Sequence, residues 1–177
     1  MSGVSVTRDM FRMTVSVPDD LVGLAADGDA DGEWAAWLGV TCRPADGRSA
    51  LVLVSITVTA YTPPPGASGA EALAGASGAE ALAARLRANG ADVEEFVTSG
   101  GSPAVGTRRV VTRRTGGRDV TTGQAQALVV YPGPRALGVV SGVCPDPGDL
   151  EQAAALVTAV AAGMTVTGAS AAADPAA

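Results

Sequence analysis

The sequence has no histidine and no lysine; all 12 of its basic residues are arginine. Losing histidine removes the commonest general base, proton shuttle and metal ligand at once. Cysteine is nearly as scarce, with Cys42 and Cys144 alone and at no metal-ligand spacing. Without His or Lys beside it, a thiol nucleophile would need Asp, Glu or a helix end to activate it. Both cysteines are therefore expected to be buried, reduced thiols, a long-range bridge being the alternative in an exported protein. Aromatic residues make up only 3% of the chain. A core is still affordable at 47% apolar residues, but it must rest on Val, Leu and Ile, since much of that fraction is alanine. No stretch is apolar enough to span a membrane; the small-residue run 153–173 is interrupted at Gly163 and Gly168.

What is present is acidic overall, with a net charge of −6, which disfavours nucleic acid as a partner. The charge is segregated. Asp19, Asp20, Asp27, Asp29, Asp31 and Glu33 crowd 19–33 without an arginine, whereas Arg108, Arg109, Arg113, Arg114, Arg118 and Arg135 face Asp119 alone within 100–145. The acidic run DGDADGE superficially resembles a calcium loop starting at Asp27. Gly32 falls at its sixth position, but Leu38 stands where the bidentate Glu belongs, so a solvated acidic loop is the expectation. Gly-rich stretches such as Ser99-Gly-Gly-Ser lack the Gly-Lys-Ser/Thr ending of a phosphate loop. No catalytic residue, cofactor or metal site is therefore expected.

Periodicity places the elements. Phe11, Met13, Val15 and Val17 alternate with polar residues, as in a half-buried strand, and Pro18 ends it. Residues 21–33 read as loop. Trp34 to Arg43 reads as a strand entered by a short turn, and Ala45-Asp-Gly-Arg as a hairpin turn. Leu51 to Tyr61 is the strongest strand, with Val52, Val54, Ile56 and Val58 on one face and Ser55, Thr57, Thr59 and Tyr61 on the other. Pro63-Pro-Pro stops it.

GASGAEALA then occurs twice, at 66–74 and 75–83. Nine residues are too few for a solenoid unit. Only the second copy runs on into a helical pattern, with Leu82 and Leu86 stacked and Gly90 as the stop. A strand around Phe96 follows. Next comes an antiparallel meander of 104–114, 120–131 and 137–143, turning at Thr115-Gly-Gly-Arg118. A final helix has Asp146 as N-cap, Pro147 in its first turn and an apolar face of Leu150, Ala153, Val157, Val160 and Met164. Met164-Thr-Val-Thr reads as a short final strand; residues 1–9 read as an N-terminal segment, 10–167 as one α+β domain and 168–177 as a disordered tail.

This order, with FRMTVSVP at the start, a Trp-bearing loop, Gly-Ser-Pro-Ala-Val at 101–105 and the ending LGVVSGVCPDPGDLEQAAALV, resembles the Mog/PsbP-like superfamily over roughly 10–167. The resemblance implies an antiparallel sheet with helices packed on it, the C-terminal helix lying across the sheet. It also implies binding rather than catalysis. Members look like adaptors, among them photosystem extrinsic subunits, a Ran-binding protein, bacterial lipoproteins and Eag-type chaperones of secretion effectors. The duplicated segment and the acidic 19–33 run depart from that pattern.

The function expected is a non-enzymatic adaptor or chaperone-like module binding another protein, in a bacterial secretion or envelope system; the alternative is a small-molecule-binding module, lined by the Ser/Thr face of 51–61, or an accessory subunit of a larger assembly. The opening MSGVSVTRDMFRMTVSV has no signal-peptide core and no lipobox, so a cytoplasmic location is the expectation. Candidate partner-binding residues are Trp34 and Trp37, which would share a face if helical, and Arg109 and Arg113, which share a face in a strand. Core plugs and edge-blocking charges are the structural alternatives for these two pairs.

The repeat generates a test. Deleting residues 66–74 should leave the melting temperature nearly unchanged, because loop length alters closure entropy only logarithmically. A fall of several degrees in a calorimetric scan would show that the first copy is part of the packed fold.

Overall fold

In a computed structural model of the chain, the described backbone comprises residues 2–8, 11–17, 21–25, 34–45, 48–60, 76–131 and 136–168. Side chains are described for 12–16, 52–58, 78–131 and 136–168. The strands are β1 (Ser2–Arg8), β2 (Phe11–Val17), β3 (Leu21–Ala25), β4 (Trp34–Ala45), β5 (Arg48–Ala60), β6 (Asp92–Val97), β7 (Pro103–Thr115), β8 (Arg118–Tyr131), β9 (Ala136–Cys144) and β10 (Thr165–Gly168). The helices are α1 (Ala76–Ala88) and α2 (Leu150–Ala162), the latter preceded by a 3-10 turn at Pro147–Asp149.

Seven strands form one sheet in the order β3-β4-β5-β9-β8-β7-β6, and β1-β2-β10 form a second. Every pairing is antiparallel. This is the α+β class that the periodicity implies, with the C-terminal helix on the sheet.

Alternation on β5 and β9 decides where the core sits. Val52, Val54, Ile56 and Val58 are buried, and so are Val140 and Cys144 across the ladder. These residues meet Ala153, Leu156, Val157, Val160 and Ala161 of α2. Met13 and Val15 of β2 and Val166 of β10 join the same cluster, so the small sheet and α2 together cover one face of the large one.

Small residues let the layers close. A Cβ at Gly142 would lie 2.6 Å from Cγ2 of Val157, and one at Gly138 would meet the Met164 methyl. The other face receives α1 only at the β6–β7 end, where Ala79 and Ala83 seat on Val105.

Local signals explain the ends. Asp146 accepts from the Gly148 N–H at 2.8 Å, so it caps the 3-10 turn rather than α2 itself. Gly116 and Gly117, with φ of +58° and +78°, make the two-residue turn between β7 and β8. Tyr131 donates to the Met164 carbonyl at 2.9 Å, and the Ser99 N–H to the Ala162 carbonyl at 2.8 Å. Both bonds anchor the end of α2. Burial pushes the Tyr131 phenol well above its ordinary range, so it remains a donor.

Besides the cap at Asp146, the structure differs from the expectations in three places. Residues 2–8, read as a leading segment, pair with β2 along their whole length. Residues 21–25, read as loop, form β3 against β4, with a register shift between Gly23 and Ala25. Trp34 opens a strand rather than a turn. The rest of the acidic run, 19–20 and 26–33, the first repeat copy and the tail 169–177 lie outside the described residues.

Gly142→Ala should lower stability by about 1–3 kcal/mol, since β-branched Val157 has no rotamer that yields. Urea unfolding checks this. A variant as stable as the parent would mean that α2 does not sit so close to β9.

Candidate functional site

The sheet is not flush at its edges. β6 stops with Asp92 opposite Arg108, and β9 stops with Cys144 opposite Gly123. Beyond those points, among the described residues, β7 and β8 pair only with each other, to Thr115 and Arg118. The result is a two-stranded ribbon projecting roughly 20 Å from the sheet at about 3.3 Å per residue. Val110 and Val120, 54% and 47% exposed, are uncovered on it. A two-stranded ribbon gains little from its own burial in water. Persistent apolar and charged exposure on such an arm has the character of a contact surface.

Register sorts the arginines. Val105 packs under α1 and Ala104 faces the α2 core, so odd-numbered β7 residues share the α1 side and even-numbered ones the α2 side. Arg108 lies on the α2 side. It donates from Nε to Asp92 at 2.8 Å and from Nη1 to Glu151 at 2.6 Å, tying β6 to α2. The Asp92 bond and the neighbouring carboxylates hold its guanidinium above the ordinary value. Arg114 stands opposite Asp119.

Arg109 and Arg113 share the α1 side, as the strand spacing predicts. Arg109 donates to Gln124 at 3.3 Å, a neutral partner, and Arg113 stands opposite Val120. Neither has an ion pair among the described residues. A groove of about 200 Å³ runs from Arg109 along Gln124, Gln126 and Ser141, walled by Leu86 and Ala91.

The tryptophans are placed elsewhere. In β4 they stand three residues apart, Trp34 opposite Thr59 and Trp37 opposite Ile56. Positions at odd spacing in a strand belong to opposite faces, so the common face that a helical turn would have given them does not form. Their side chains lie outside the described residues. Three strands separate β4 from β7, so the two candidate pairs do not make one site.

Of the β5 polar face, Ser55 and Thr57 are half-buried on the side away from α2, and Tyr61 lies outside the described residues. Cys144 is a free, buried thiol. Desolvation first, then the Asp149 carboxylate, pushes it up, so it stays protonated near neutral pH. The Cys42 side chain lies outside the described residues. Among the described residues no three metal-ligating side chains cluster, and no helix is long and apolar enough to cross a membrane.

Sequence reasoning found the arginine face but missed the arm. The arm exists only because β6 and β9 end early. The chain enters β6 just after Gly90, with φ +77°, and leaves β9 at Pro145. Those two punctuation marks were the available signal.

No protein-family model and no curated protein matches the chain. Among solved structures the chain is similar to LpqN, described as involved in cell envelope biogenesis of Mycobacterium tuberculosis. The match has a TM-score of 0.50 and 16% identity, over 94% of this chain and 91% of LpqN. At that identity the likeness bears on the fold.

The state of Cys144 can be measured. In a Cys42→Ser variant, a thiol reagent at mildly alkaline pH should react at least about tenfold faster after denaturation than before. Rapid labelling of the native protein would return Cys144 to the list of candidate nucleophiles.

Proposed function

We propose that this chain is a non-enzymatic module that binds another protein, acting as an adaptor or chaperone in the cytoplasm for an envelope or secretion system. The observation that carries the reading is the β7–β8 arm. It holds Arg109 and Arg113, which have no ion pair among the described residues, and exposed valines away from the core. Two further points support it. The antiparallel sheet with α2 across it is the architecture expected of a Mog/PsbP-like protein, a group rich in adaptors. LpqN, similar in fold, carries an envelope role of its own.

The groove beside Arg109 favours a second reading, a small-molecule module, because polar groups converge there next to Leu86.

Affinity capture from the organism that makes the protein separates the two. A stoichiometric protein partner should co-purify with the parent chain and be lost with R109E/R113E, a change confined to exposed side chains. A partner lost only with W34A/W37A would move the surface to β4. A partner-free monomer would sink the adaptor reading and turn attention to the groove.

A further inference from the structure

The arm has two free edges, and they differ in charge. Along β7 from residue 109 to 115 stand Arg109, Arg113 and Arg114 and no acid. Along β8 from residue 118 to 122 stand Arg118 and Asp119. The chain leaving β9 next to that edge adds Asp146 and Asp149, and its prolines 145 and 147 have no N–H to offer.

The inner half of β7 displays what this edge accepts. Its partner there is β6, whose first four residues include Asp92, Glu94 and Glu95. Asp92 lies opposite Arg108 and takes its Nε–H at 2.8 Å. β6 ends at that point. β7 continues for residues 109–115 with its outer backbone groups unpaired among the described residues.

We infer that the outer edge of β7, residues 109–115, receives an acidic, extended segment of a partner protein as an added strand. The inference rests on the protein-binding reading above and specifies the chemistry of its partner. In strand addition, main-chain hydrogen bonds supply affinity and alternate side chains supply specificity.

Arg109 and Arg113 lie on one side, four residues apart, with Val111 between them. A guest with carboxylates at matching positions, and an apolar residue between, fits that row. Arg114 meets a carboxylate of the alternate phase. A second copy entering by the same edge is opposed, since it would set one arginine row against another. The guest therefore supplies the opposite sign, as β6 does for the inner half of the strand.

The test uses the full chain and a fluorescein-labelled decapeptide alternating Glu with Val and Thr, read by anisotropy. A second peptide of the same sequence, N-methylated at alternate residues, keeps the charge but cannot complete a ladder. The first peptide should bind. Both N-methylation and Arg113→Glu should weaken binding by about tenfold. Arg12→Glu, an equal charge change on distant β2, should alter it less than about twofold.

Equal binding of the N-methylated peptide would overturn the inference, because charge alone would then suffice. So would affinity for phosphatidylglycerol vesicles with none for the peptide, or a self-association abolished by Arg113→Glu. If the peptide fails while partner capture still depends on Arg109 and Arg113, the acidic-strand assignment falls and the adaptor reading stands. If capture fails as well, both fall.

Discussion

The close seating of α2 on β9 is the contact on which the rest of the structure depends. With few aromatic rings, the core must gain its dispersion energy from many short contacts between Val, Ala and Leu. Gly142 and Gly138 permit those contacts by leaving room for Val157 and Met164. Once α2 is seated, its C-terminal end becomes a hub. Ser99 bonds to its last carbonyl, Tyr131 to that of Met164 just beyond it, and β10 follows to pair with β2. The three-stranded sheet is thus held to the larger one through the helix as well as through the shared cluster of Met13, Val15 and Val166.

Charge follows the same division. Where the sheet is complete, arginine is matched: Arg108 meets Asp92 and Glu151 and ties an edge strand to the hub helix. Such exposed pairs contribute little to stability individually, and their value lies in fixing geometry. Where the sheet runs out, Arg114 still stands opposite Asp119, but the ribbon carries Arg109 and Arg113 with neutral cross-strand neighbours.

How far the fold was legible depended on how strongly each segment was patterned. β2, β5 and the β7–β9 meander alternate cleanly, and α2 repeats at three- and four-residue steps, so their existence and type could be read. Ser2–Arg8 and Leu21–Ala25 are short and rich in small or polar residues, and they are strands because a neighbour offers a ladder. Trp34 and Trp37 left a helical turn open because their spacing also suits one; tertiary pairing with β5 makes the whole segment strand. The common face of Arg109 and Arg113 was legible from parity alone. The projection of the arm was not, since it depends on the relative lengths of strands distant in sequence.

The absence of lysine gives the arm a property of its own. Guanidinium groups stay charged throughout the physiological range, and acetylation has no amine on the ribbon to act upon. The positive side of any contact made there is therefore constant. Acidity in the surroundings could loosen such a contact only by protonating the carboxylates of the partner, so the sensitivity of the complex to its compartment would be written into the other protein.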